Sequence, residues 1–366
     1  MTDAHILSAF PRDYAAARDG FRRAAAEAGC AVTSYETGDV GPRGEALTID
    51  VAVSHAHAGV GTETAIVLSS GLHGVEAPFG SAVQVTALRE ITAGRLRPEA
   101  RLVLVHALNP SGFAWSRRVD ARNVDLNRAF RWPGMPDAPP DGPYGAIDAL
   151  LNPPRPPSSD LFRLRVVAAA LRAGPATLKR AIAAGQRSYP RGLFYAGTET
   201  PPLQTFLERE VPGWLAGATT AVHLDFHTGL GRRDNAALIV DYPLIETERA
   251  WWTGRVGAHV LSESLRDDKA YTAIGSLGQW CAARRFAPRY RFAFAEFGTF
   301  GGPRILAGLR AENRAHHWAK PGDAATIAAK AGLRTLFCPP DADWRVRAVR
   351  RALALIGAVS SSAAPA

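Results

Sequence analysis

Apolar residues along this chain arrive in two rhythms. Short runs rich in β-branched and aliphatic residues read as strands: "AVTSYETG", "ALTIDVAVS", "TAIVLSS", "RLVLVHALN", "AVHLDFHTG", "AALIVDYP" and "RFAFAEFG". Between several of them lie stretches with helical spacing. Residues 12–29 are Ala-rich, carry charge on one face and close on a Gly; "GSAVQVTALREIT", residues 160–187 and a last segment near 341–356 follow the same period. Strand–helix–strand alternation predicts an α/β fold with a mostly parallel sheet and helices on its faces. "TAIVLSS" is apolar enough for the centre of that sheet.

From Arg131 to Ser159 the rhythm dissolves into Pro and Gly, in "RWPGMPDAPPDGPYG" and "LNPPRPPSSD". A stretch of this kind predicts a long surface loop or insertion, of the sort that serves as a lid. With the helical residues after it, 131–217 is expected to be an insertion in a single catalytic domain spanning 1–356. "GAVSSSAAPA", residues 357–366, is expected to be a disordered tail.

Composition narrows the function classes. The chain has 366 residues, 47% hydrophobic and 21% charged, which is ordinary for a soluble domain with a sizeable core. The net charge of +9 comes from scattered basic residues, so no nucleic-acid partner is expected. Three cysteines, Cys30, Cys281 and Cys338, with no C-x-x-C, argue against a disulfide framework or a cysteine zinc site. The first residues lack a basic segment followed by an apolar core, and no run approaches the ~20 apolar residues of a membrane span. A cytoplasmic location and no membrane partner are the expectation.

The chemistry gathers at strand ends. "SSGLHGVEAPFGSAVQ" follows an apolar strand and places His73 and Glu76 three residues apart on a glycine-rich turn. Ligands of open α/β sheets sit beyond the carboxyl ends of strands. An imidazole and a carboxylate there suit zinc, which needs a third protein ligand and an open position. His227 in "HLDFHTGLG" follows another strand and supplies the third donor. His223 is nearer the strand interior and reads as a core histidine. Asp225, on the same strand face, is a partner for a histidine. Glu296 ends an aromatic and alanine strand, where burial would raise its pKa toward that of a general base. Arg117, Arg118, Asn127 and Arg128 supply guanidinium forks and an amide suited to a substrate carboxylate and to an oxyanion.

Five motifs in this order, "GLHGVE", "NPSGF", "VDLNRAF", "DFHTG" and "AEFGT", resemble the zinc carboxypeptidase family, and most of all its bacterial branch known only as a domain of unknown function. The resemblance spans roughly residues 45–305. It implies a mixed, mainly parallel sheet of about eight strands flanked by helices, with one zinc ion held by His73, Glu76 and His227. It implies Glu296 as base and later proton donor, Asn127 and Arg128 on the substrate carboxylate, and Arg117 or Arg118 on the scissile carbonyl, of which Arg118 is taken. The substrate would be a small peptide. The related deacylases, similar to succinylglutamate desuccinylase and aspartoacylase, share H-x-x-E and D-L-N-R and would make it an N-acyl amino acid. A non-catalytic binding relative is the third reading.

Family members often carry a mobile Tyr before the catalytic Glu, and Tyr242, Tyr271 and Tyr290 fall in that interval without a matching motif. His316 and His317 read as solvated surface residues. His55 and His57 share a strand face but lack a third ligand, and "GTFGG" reads as a turn beside Glu296.

Overall fold

Eight strands form one sheet in the order β1-β2-β4-β3-β5-β8-β6-β7 in a computed structural model that describes residues 1–54, 63–136, 142–174, 182, 184–264 and 274–361. The strands are β1 (Cys30–Val40), β2 (Ala46–Ser54), β3 (Thr64–Ser70), β4 (Arg101–His106), β5 (Thr220–Thr228), β6 (Ala236–Val240), β7 (Leu261–Glu263) and β8 (Arg289–Phe297). The β3–β4, β3–β5, β5–β8 and β6–β7 pairs are parallel, and β1–β2, β2–β4 and β6–β8 are antiparallel. The expected mixed, mainly parallel sheet of about eight strands is the one observed. β3 and β5 lie at its centre, and both are buried along nearly their whole length, β3 through a continuous apolar run and β5 with His223 and Asp225 set among its apolar residues.

The helices Tyr14–Glu27, Ala77–Thr92 and Ala342–Ser360 pack together on one face. Phe79 meets Phe297 and Trp344 there, with ring centroids 4.8 and 5.6 Å apart. The helix Leu277–Arg284 packs on β8 and sets Trp280 against Phe130. Gln84 ties helix to sheet: its amide donates to the Leu68 and Val105 carbonyls, and its Oε1 accepts from Ser70. The chain leaves β3 for β4 on one side and returns to β5 on the other. The carboxyl ends of β3 and β5 therefore flank a switch in strand order, where the sheet opens a crevice.

Two expectations need correction. The final helix runs to Ser360, four residues into the stretch read as a tail, because Val359 and Ser360 are buried against the body. The Pro-rich segment is more than a surface loop. It forms the helix Gly142–Leu151, and Tyr144, Ile147, Leu151, Leu193 and Phe194 build a second apolar cluster with Val75, Leu309, Leu333, Leu336 and Phe337. Arg310 and Arg314 clasp it through Asp160, with Arg310 Nη2 2.6 Å and Arg314 Nη1 3.3 Å from Asp160 Oδ2. His55, His57 and Tyr271 lie outside the described residues. Among the described residues no helix is long and apolar enough to cross a membrane, and the three cysteines are unpaired.

His106, at the end of β4, is stacked on Phe21 at 4.6 Å and pairs through Nε2 with Ser81 Oγ at 3.0 Å. Burial, opposed by Asp50, pulls its pKa from 6.5 down to about 4. The folded chain thus refuses a proton that the unfolded chain accepts between these values, so stability is lost as pH falls from 6.5 to about 4. The slope this one group adds is at most about 1.4 kcal/mol per pH unit. Urea midpoints measured across that window are expected to fall less steeply in His106→Gln than in the unaltered chain.

Candidate metal centre

β3 ends at Ser70, and Gly71 turns the chain with φ of +71°, a conformation that side-chain-bearing residues rarely adopt. His73 then caps the single 3-10 turn Gly74–Glu76. Gly74 is glycine for a different reason: a Cβ there would lie 2.0 Å from the carbonyl carbon of Gly112. The turn is pressed onto the 112–118 loop, and the Gly74 and Val75 amides donate to the carbonyls of Arg118 (3.2 Å) and Arg117 (2.8 Å). The helix Ala77–Thr92 starts at once, with Pro78 in its first turn.

β5 delivers His227 to the same place. The β3–β5 register aligns Ser70 with Phe226, so His227 emerges one residue beyond the end of β3. His73 Nδ1 is 2.9 Å from Glu76 Oε1, and His227 Nδ1 is 3.1 Å from Glu76 Oε2, which also accepts from the Thr228 amide at 2.9 Å. The two rings stand edge to face, 4.9 Å apart. All three side chains are buried, and their donor atoms lie within 4.8 Å of one another.

The far sides of the imidazoles are fixed as well. His73 Nε2 faces Asp125 Oδ1 at 3.2 Å, and His227 Nε2 faces Asp225 Oδ2 at 2.6 Å. A proton on each Nε2 satisfies those carboxylates and leaves both Nδ1 atoms aimed at the Glu76 oxygens. Lone pairs cannot face a carboxylate at 3 Å without positive charge between them. Either the imidazoles carry a second proton or a divalent cation sits among the three groups. Two imidazole nitrogens and one carboxylate, each imidazole backed by another carboxylate, form the donor set that zinc takes with an open position. Without a cation the protons must do this work: burial opposes charge on His227, yet Asp225 and Glu76 together hold its pKa well above the ordinary value. Burial likewise opposes charge on Glu76, and His73 and His227 override it to hold the carboxyl far below its usual range.

Glu296 lies beside His227 in the β5–β8 register, on the same face of the sheet. Its Oε1 accepts from the Leu230 amide at 2.7 Å. Burial, then the charge of Glu76, raises its pKa to about 8, against His227 and Arg118. A divalent cation at the Glu76 carboxylate would offset the second of these causes.

The adjacent arginines part company. Arg118 Nη1 reaches Glu76 Oε1 at 3.5 Å and its Nε donates to Asp125 Oδ2 at 3.1 Å, with the side chain 17% exposed. Arg117 points the other way, and its reading as a substrate-binding residue is corrected. It is buried in a pair with Glu312 at 3.0 Å, donates to Asn123 and Asn313, and shares Glu312 Oε1 with Lys330. Its part in the site is its backbone carbonyl under Val75. His316 and His317 adjoin this cluster and are half-buried, contrary to expectation. Burial and then Arg117 lower their pKa values to about 3 and about 4.

Asn127 Oδ1 accepts from the Leu277 amide at 3.0 Å. Arg128 Nη1 donates to Asp125, and its guanidinium lies 5.1 Å from the centre of the Phe194 ring. Asp125 therefore joins His73, Arg118 and Arg128, and the residue was missed by sequence reasoning. Burial opposes its charge, but Arg118 and Arg128 hold its carboxyl well below the usual range. Its only signal was position, an acid three residues before Arg128 within "VDLNR". His223 is the core histidine expected, bonded to Ser69 and Tyr290. Tyr242 is buried against the Phe292 backbone, and Gly298 directly follows β8 in an irregular segment that leads to the helix at Gly302.

Asp125→Asn keeps the size of the group while removing the charge that orients the His73 ring. Zinc affinity measured by competition with a chelator is expected to fall about 10–100-fold.

Among solved structures, the chain is similar to carboxypeptidase A from Helicoverpa armigera, at 13% identity over 94% of this chain and 74% of that one, TM-score 0.48. It is also similar to murein-tripeptide amidase MpaA from Escherichia coli O157, at 17% identity over 81% and 97%, TM-score 0.38. Succinylglutamate desuccinylase from Chromobacterium violaceum is similar at 15% identity over 88% and 74%, TM-score 0.35. No curated protein matches by sequence. A family model described as "Protein of unknown function (DUF2817)" matches residues 10–351, and the chain belongs to that family.

Proposed function

We propose that this chain is a metal-dependent amide hydrolase that holds one zinc ion and cleaves a small peptide or N-acyl amino acid next to a free carboxylate. One observation carries the reading: His73, Glu76 and His227 converge in a buried group whose imidazoles are each backed by a carboxylate, with Glu296 beside it on the same sheet face. When bound, zinc supplies Lewis-acid chemistry, polarising a carbonyl and acidifying water. Glu296 takes the proton of the attacking water and passes it to the leaving amine. Arg118, whose guanidinium already borders Glu76, donates to the oxygen that gains negative charge.

Asn127 and Arg128 bind the substrate carboxylate. The 131–217 insertion shapes that end of the pocket. Tyr195 O accepts from the Asp125 amide at 2.7 Å, Phe194 stacks on Arg128, and a Cβ at Gly185 would lie 2.6 Å from Arg128 Cδ.

Elemental analysis is expected to find about one zinc per chain and its loss in His73→Ala. Glu296→Gln is expected to keep the metal and lose about 10²–10⁴-fold in turnover. No metal in the unaltered chain, together with no turnover, would favour the non-catalytic reading. A panel of dipeptides and N-acyl amino acids separates peptidase from deacylase. Phe194→Ala is expected to raise KM for carboxylate-bearing substrates while zinc content stays unchanged, and an unchanged KM would remove the insertion from substrate binding.

A further inference from the structure

Beneath the metal centre a row of polar groups runs through apolar core. Ser69 on β3 pairs in register with Asp225 on β5, and its Oγ lies 2.6 Å from Asp225 Oδ1 and 2.6 Å from His223 Nε2. His223 Nδ1 lies 2.8 Å from the Tyr290 hydroxyl. Ser69, Asp225, His223 and Tyr290 are all buried, and the rings of Phe292 and Phe294 pack on His223 and His227. Among the described residues no arginine or lysine bonds Asp225, whereas Asp125 across the site has two.

The directions of these hydrogen bonds can be worked out one by one. A carboxylate only accepts, so Ser69 donates its single proton to Asp225. The Ser69 oxygen can then only accept from His223, which places the His223 proton on Nε2. His223 Nδ1 is left as an acceptor, so Tyr290 donates to it. Every donor points toward Asp225, and bonds aligned in this way polarise one another. Burial, opposed by Asp225, lowers the His223 pKa from 6.5 to about 4, which keeps the ring neutral as the row requires.

We propose that Ser69, His223 and Tyr290 are positioning residues for the metal centre: a one-way hydrogen-bond chain that orients Asp225 and, through it, the His227 ring. The inference rests on the metal-binding reading above, but its key group, the His223 tautomer, is observable apart from any activity. Tyr290→Phe removes the donor to His223 Nδ1. The proton of His223 can then move to Nδ1, and Nε2 competes with Asp225 for the Ser69 proton. Ser69→Ala removes the link itself.

The test combines two measurements on the full chain. In ¹⁵N-histidine-labelled protein, the ring-nitrogen shifts of His223 are expected to show the Nε2-protonated tautomer, partly converted in Tyr290→Phe. Zinc affinity, read by chelator competition, is expected to drop about tenfold in Tyr290→Phe and in Ser69→Ala. Ser69→Ala alone decides this second arm if Tyr290→Phe fails to fold. A His223 protonated on Nδ1 in the unaltered chain overturns the proposal. So does zinc affinity in the folded variants equal to that of the unaltered chain. If the unaltered chain binds no zinc, the hydrolase reading falls, and the positioning role falls with it. Zinc binding that is indifferent to both variants overturns the chain alone.

Discussion

A carboxylate without access to water, faced by two imidazoles, is the constraint on which this structure turns. Removing Glu76 from water costs several kcal/mol unless opposite charge is brought to it. His73 and His227 bring that charge, as imidazolium or as ligands of a cation. Each then needs a negative partner behind it, and Asp125 and Asp225 take that place. The next layer differs on the two sides. Asp125 is met by the guanidinium groups of Arg118 and Arg128, while Asp225 is met by a neutral serine. The difference follows from position. Asp125 sits in a loop whose own residues Arg118 and Arg128 fold back onto it, whereas Asp225 lies inside a central strand among apolar side chains.

The central strands and the convergence of His73, Glu76 and His227 were legible in the sequence for a single reason. A strand buried on both sides is an unbroken apolar run, and polar chemistry placed just after such a run has to stand at the sheet's edge. His73 and Glu76 follow such a run, and His227 and Glu296 stand in the last residues of two other largely buried strands. Arg117 and Arg118 were not separable, because neighbouring residues in a loop point in opposite directions and the sequence carries no sign of which faces inward. Asp125 was missed because its partner His73 is 52 residues away. His316 and His317 resembled a polar helix surface until the Arg117 and Glu312 pair was seen beside them. The end of the last helix was hidden by small residues, whose burial depends on what lies across from them.

The insertion shows how composition can mislead. Its prolines do disrupt regular structure, yet the segment owns an apolar cluster and is tied down by Arg310 and Arg314. Its inner edge, from Gly185 to Tyr195, packs directly on Asp125 and Arg128. The insertion is thus continuous with the charges that support His73.

The pairing of β3 with β5 carries a consequence for how the molecule is made. Glu76 and the Thr228 amide that it binds are 152 residues apart along the chain. At a synthesis rate of ~5–20 residues per second, the first two donors wait on the order of ten seconds or longer for the third. During that interval His73 and Glu76 are a two-point site on a half-built sheet. The parallel pairing that completes them is a slow, long-range event in folding. The convergence of His73, Glu76 and His227 therefore reports that the centre of the sheet has closed, and a nascent chain cannot assemble all three before it has acquired its fold.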